Sequence, residues 1–103
     1  PVYKTDDKQS SFHIYMLRIN NATEEQRDRI IDKISAEKVA VNVHFQPIPL
    51  LSAYKGFGFN MEDYPVAWKN YEQEISLPVF YDISDEQIGW VIDALVSAVE
   101  EVM

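Results

Sequence analysis

The last third of the chain is its strongest constraint. Ile88, Val91, Ile92, Leu95, Val99 and Val102 recur at i, i+3, i+4, i+7, i+11 and i+14, the period of one face of an α-helix. Just ahead of them Ser84 and Gln87 have capping-box spacing, in which each side chain satisfies a backbone N–H of the first turn. A helix this apolar along one side has to lie on another layer, so the chain must supply or meet one.

The sequence offers that layer as short strands. Ser11 to Asn20 is dense in aromatic and β-branched residues and reads as a strand with two largely apolar faces, which suits the centre of a sheet. Thr23 and Gln26 form a second capping box. The helix behind it runs to about Glu37, with Ile30, Ile31 and Ile34 buried and Arg27, Arg29, Asp32 and Lys33 facing water. Val39 to Phe45 reads as another strand. Pro65 suits the first turn of a helix carrying Trp68 and Tyr71, and Ile75 to Tyr81 reads as a short extended segment that Pro78 assigns to an edge. The expected fold is α+β, a small sheet of about three strands with helices packed mainly on one face. Residues 1–10 read as a polar linker and residues 11–103 as one domain.

Between Gln46 and Tyr64 regular structure is not expected. Pro47 and Pro49 end the strand, and Gly56 and Gly58 break a loop bearing Tyr54, Phe57 and Phe59. Three aromatics on a surface loop point to a face that another domain or subunit covers.

Charge narrows the partners. With 17 acidic and 9 basic side chains the formal charge is −8, a field that repels nucleic acid and anionic membrane surfaces. The chain has no apolar run of the roughly 20 residues that span a bilayer. Cysteine is absent, which removes disulfides and thiolate metal sites and fits a cytoplasmic setting. The chain starts at Pro1 rather than methionine and reads as a piece of a longer protein.

His13 and His44 are the only histidines, each on an expected strand, and no third ligand stands at metal-binding spacing. Each is either a histidine satisfied within the sheet or a ligand contact. The acidic pairs Asp6-Asp7, Asp85-Glu86 and Glu100-Glu101 fall in the linker, a first helical turn and a terminus, so they read as solvated charge rather than acid–base groups. No nucleophile with a base and an orienting group can be assembled, so no catalytic residue is assigned.

The run Asn42-Val43-His44-Phe45-Gln46-Pro47-Ile48-Pro49-Leu50-Leu51-Ser52-Ala53-Tyr54-Lys55 resembles a signature of the DegT/StrS family of pyridoxal-phosphate-dependent sugar-nucleotide aminotransferases. Further similarities follow in order: Ser11-Phe12-His13-Ile14-Tyr15 upstream, then Pro65-Val66-Ala67 with Tyr71-Glu72, Glu74-Ile75-Ser76-Leu77-Pro78-Val79-Phe80, and Ser84-Asp85-Glu86-Gln87. The resemblance implies the small C-terminal domain of a fold-type I aminotransferase. The lysine that anchors pyridoxal phosphate would lie in an absent large N-terminal domain, and none of the six lysines here matches it. It also implies that the cofactor belongs to the full-length parent, with none bound to this piece. The parent would convert a nucleotide-linked keto-sugar to an amino-sugar with an amino donor, usually glutamate, and the piece alone would be inactive. The implied partners are the large domain and a second subunit of a homodimer. The resemblance implies that His44 and Gln46 lie on the substrate side, with His13 a weaker substrate-binding candidate whose alternative role is to buttress the sheet. Phe45 stands where many members carry Tyr, which removes a hydroxyl there. The competing reading is a stand-alone, non-catalytic interaction module docking through Tyr54, Phe57 and Phe59.

Overall fold

The structure, a computed structural model, describes residues 3–103. Residues 1–2 of the expected linker lie outside the described residues. The elements run β1 (Tyr15–Arg18), α1 (Glu24–Ala36), α2 (Ser52–Lys55), α3 (Pro65–Gln73), β2 (Glu74–Leu77) and α4 (Asp85–Val102), with 3-10 turns at Ile48–Leu50 and Met61–Asp63. The fold is α+β, as expected.

Both capping boxes form. Thr23 and Ser84 each accept the N–H three residues on, and Gln26 and Gln87 reach back to the cap N–H. Helix α1 ends in a Schellman turn: Lys38 takes a left-handed φ of 62° and donates to the Ser35 carbonyl, and Val39 N–H donates to Ile34. A lysine holds the position that glycine usually fills.

β1 and β2 pair antiparallel, with Tyr15 opposite Leu77, Met16 opposite Ser76, Leu17 opposite Ile75 and Arg18 opposite Glu74. The expected third strand, Val39 to Phe45, shrinks to one bridge in which Asn42 and Ser76 exchange both backbone hydrogen bonds. β2 therefore lies in the middle, with β1 on one side and Asn42 on the other. This reverses the expected order, in which the Ser11–Asn20 strand was central and the Pro78 segment at an edge. Pro78 follows the ladder instead of sitting in it, so its missing N–H costs no pairing. β1 is also shorter than expected, because Phe12 at φ 56° breaks the extended run before Tyr15.

Strand pleating puts Tyr15, Leu17, Ile75 and Leu77 on the helix-bearing face. There Ile30 and Ile34 of α1, Val39, Ile75, and Ala94 and Ala98 of α4 form the buried cluster. The closest contact of α4 thus runs along its alanines, while Ile88 and Ile92 remain exposed. Beside that face Tyr15, Leu17, Leu77, Val79, Ile88 and Ile92 line an open apolar groove. At the far end Lys33 of α1 forms an ion pair with Glu101 of α4.

One expected surface residue lies inside. Arg27 is only 1% exposed, although its charge suggested a solvent position. Residues 27, 30 and 34 share a helix face, and backbone carbonyls from α3 and β2 meet the guanidinium there. Among the described residues no helix is long and apolar enough to cross a membrane. Nor does any group of three or more His, Asp or Glu side chains there suit a metal ion.

Candidate functional site

The opposite face of the sheet, carrying Arg18, Glu74 and Ser76, is the polar one. Glu74 is 5% exposed and Ser76 is buried beside it. The Glu74 carboxylate accepts the His44 backbone N–H at 2.9 Å on Oε2 and the Ser76 hydroxyl on Oε1. Under this pair Arg27 donates to the carbonyls of Tyr71 at 2.7 Å and Glu74 at 3.4 Å, and its guanidinium carbon lies 4.8 Å from the centre of the Tyr71 ring. Glu24 at 3.6 Å and Asp28 at 2.6 Å balance its charge. Burial, followed by the Glu24 carboxylate, raises the Tyr71 phenol above its ordinary value, and Arg27 opposes the shift. The α3–β2 junction is therefore tied to α1 by polar contacts.

This frame opens onto a cleft of about 340 Å³ lined by residues that include His13, Asn42, His44, Ser76, Leu77 and Pro78. The two histidines, 31 positions apart in the sequence, share one cavity. His13 lies in the exposed segment before β1 rather than in a strand. His44 follows the bridge at Asn42, and its peptide to Phe45 is cis. The two rings of this dipeptide meet edge-on, 4.7 Å between centres. His44 Nδ1 is buried and has no hydrogen-bond partner among the described residues. A buried imidazole nitrogen with nothing to bond is costly, and this one is shielded from solvent while the rest of the residue helps line the cleft.

Gln46 is exposed and is not among the residues lining this cleft. Tyr54, Phe57 and Phe59 form a separate patch: Tyr54 stands 6.4 Å from each of the other two rings, and all three are exposed, Phe57 at 78%. α2, a single turn at Ser52–Lys55, carries Tyr54 in what reads from sequence as loop. Sequence reasoning missed Glu74 and Ser76 as parts of the site. Their signal was alternation, since two polar side chains flank Ile75 in a strand otherwise dense in apolar residues.

The DegT/DnrJ/EryC1/StrS aminotransferase family model matches residues 1–96. Among curated proteins, the chain is 33% identical over 93 residues to the uncharacterised protein MJ1066 of Methanocaldococcus jannaschii, a match covering 88% of this chain and 24% of that protein. It is 30% identical to the spore coat polysaccharide biosynthesis protein SpsC of Bacillus subtilis, over 87% of this chain and 24% of SpsC. Among solved structures, Spr1654 of Streptococcus pneumoniae, described as a "putative sugar aminotransferase", superposes with a TM-score of 0.93 at 39% identity in its PMP form. That match covers 99% of this chain and 26% of Spr1654, and the PLP form of the same protein gives the same TM-score. The chain thus spans about a quarter of the length of the proteins it matches. It belongs to the DegT/DnrJ/EryC1/StrS aminotransferase family.

Proposed function

We propose that this chain is the small domain of a pyridoxal-phosphate-dependent enzyme that aminates a nucleotide-linked keto-sugar. In this reading it forms one wall of the substrate cleft and has no activity alone. The observation that carries the proposal is the convergence of His13 and His44 on one cavity, within a family of aminotransferases. The PLP and PMP forms of Spr1654 support the cofactor assignment for the whole enzyme.

The cleft does not suit the cofactor itself. None of its lining residues is lysine or arginine, so it offers neither an amine to anchor an aldehyde nor a cation for a phosphate. When bound, pyridoxal phosphate supplies the electron sink for moving an amino group, and residues outside this chain would hold it. This chain contributes polar groups that flank its small sheet. The His44 imidazole suits a sugar hydroxyl or carbonyl, and His13 meets the same cavity from the segment before β1. Gln46 belongs to this substrate side only where the substrate extends past the cleft.

The rest of the reading follows from the family. Glutamate is the expected donor and the cytoplasm the expected compartment. The large domain and a second subunit of a homodimer are the expected partners, with Tyr54, Phe57 and Phe59 as the docking patch. The −8 charge argues against nucleic acid or an anionic membrane as partner.

The test uses the intact enzyme containing this domain. Transamination of a nucleotide-linked keto-sugar is followed with glutamate as donor, comparing wild type with His44→Ala. We expect kcat/KM for the sugar to fall about tenfold or more, with the glutamate half-reaction little changed. A wild-type kcat/KM for the sugar would refute the substrate role of His44.

A further inference from the structure

We propose that Glu74 is a positioning residue whose carboxylate fixes the backbone of His44 in the wall of the cleft; the inference rests on His44 facing the substrate. His44 lies past the last bridge of its segment, at Asn42, where no ladder hydrogen bond holds it. Its N–H is held by a side chain instead: Glu74 Oε2 accepts it at 2.9 Å, across 30 positions of sequence. The other carboxylate oxygen takes the Ser76 hydroxyl, which stops the carboxylate from turning away.

The clamp is itself anchored. The Glu74 backbone pairs with Arg18 in the β-ladder, and its carbonyl accepts from Arg27. Ser76 is tied to Asn42 by both of its backbone hydrogen bonds, two residues before His44. The short loop from Asn42 to His44 is thus gripped at one end by the Ser76 backbone and at the other by the Glu74 side chain. A burial site with no cation on the carboxylate is an expensive place for glutamate unless its acceptors are used. Both are.

Length matters more than charge in this arrangement. Gln at this position would keep an acceptor for the His44 N–H and could donate its amide to the Ser76 oxygen. Asp would keep the charge but is one methylene too short to reach both partners.

Two readouts on the intact enzyme test this: hydrogen exchange of the peptide spanning residues 42–46, and kcat and KM for the keto-sugar. For Glu74→Ala and Glu74→Asp we expect exchange at that peptide to rise about tenfold, the factor expected for losing one hydrogen bond. KM should rise by a similar factor while kcat changes less. Glu74→Gln should stay within about threefold of wild type on both readouts. Should Glu74→Ala fail to fold, the contrast between Asp and Gln carries the test. Unchanged exchange in the Asp variant, or a Gln variant as impaired as Asp, overturns the clamp whatever His44 does. Raised exchange in the Asp variant, together with wild-type kinetics in His44→Ala, upholds the clamp and overturns the substrate-side reading instead.

Discussion

A guanidinium taken out of water keeps its charge, so its donors need acceptors in the fold. Arg27 finds them in the carbonyls of Tyr71 and Glu74 and in the carboxylates of Glu24 and Asp28, and it lies against the Tyr71 ring. Removing it leaves buried carbonyls short of a donor and a void beneath the α3–β2 junction. Arg27→Ala is therefore expected to cost about 2–4 kcal/mol in chemical denaturation. Arg27→Lys should recover less than half of that, since a single ammonium cannot replace a planar fork. The position of Arg27 was legible in the sequence, one turn before Ile30 on the same face as Ile34. Its burial was not, because the carbonyls that receive it lie 44 and 47 residues away and no local pattern announces them. Glu74 and Ser76 carried a local signal in their alternation about Ile75, but the His44 backbone that Glu74 holds lies 30 residues away and was not legible. His44 and His13, in contrast, could be picked out by residue type and motif, though only the fold brings them to one cavity.

Elements with strong local signals formed as their residues dictate. Thr23 with Gln26 and Ser84 with Gln87 start α1 and α4, and Pro65 starts α3. The strands were less legible, because a strand is completed by a neighbour rather than by itself. Val39 to Phe45 has strand composition but pairs only at Asn42, and Phe12 turns the chain before β1. α4 shows the limit of periodicity: its apolar stripe is wider than its contact with α1, and Ala94 and Ala98 rather than Ile92 lie deepest. Small side chains there let the two helices approach closely. Ala98→Leu in this chain should cost about 1–3 kcal/mol by overpacking. Ile92→Ala, at a residue 50% exposed, should cost under about 1 kcal/mol. Equilibrium unfolding of the two variants checks the order, and the reverse ranking would mean that α4 packs through its isoleucines.

The whole molecule is broader than its length requires. Its radius of gyration is 15.7 Å, with extents of 47 × 40 × 23 Å. A compact domain of this size would have a radius near 13 Å. Its apolar core is small, and Phe45, Phe57, Val66 and Tyr81 are all more than two-thirds exposed. A flat plate with aromatics on its surface suits a domain stacked against a larger body, and the match to about a quarter of Spr1654 agrees with that. The consequence is a difference between contexts. In this chain alone Phe57 contacts little beyond Tyr54, so Phe57→Asp should change stability by less than about 0.5 kcal/mol. On the proposed reading, the same substitution in the assembled enzyme would place a charge in a covered apolar patch. It should lower the thermal midpoint by several degrees or shift the subunit equilibrium seen by sedimentation, corresponding to about 1–3 kcal/mol. An assembled enzyme that tolerates Phe57→Asp as readily as the lone chain would mean that the loop stays exposed, and that its aromatics serve something other than assembly.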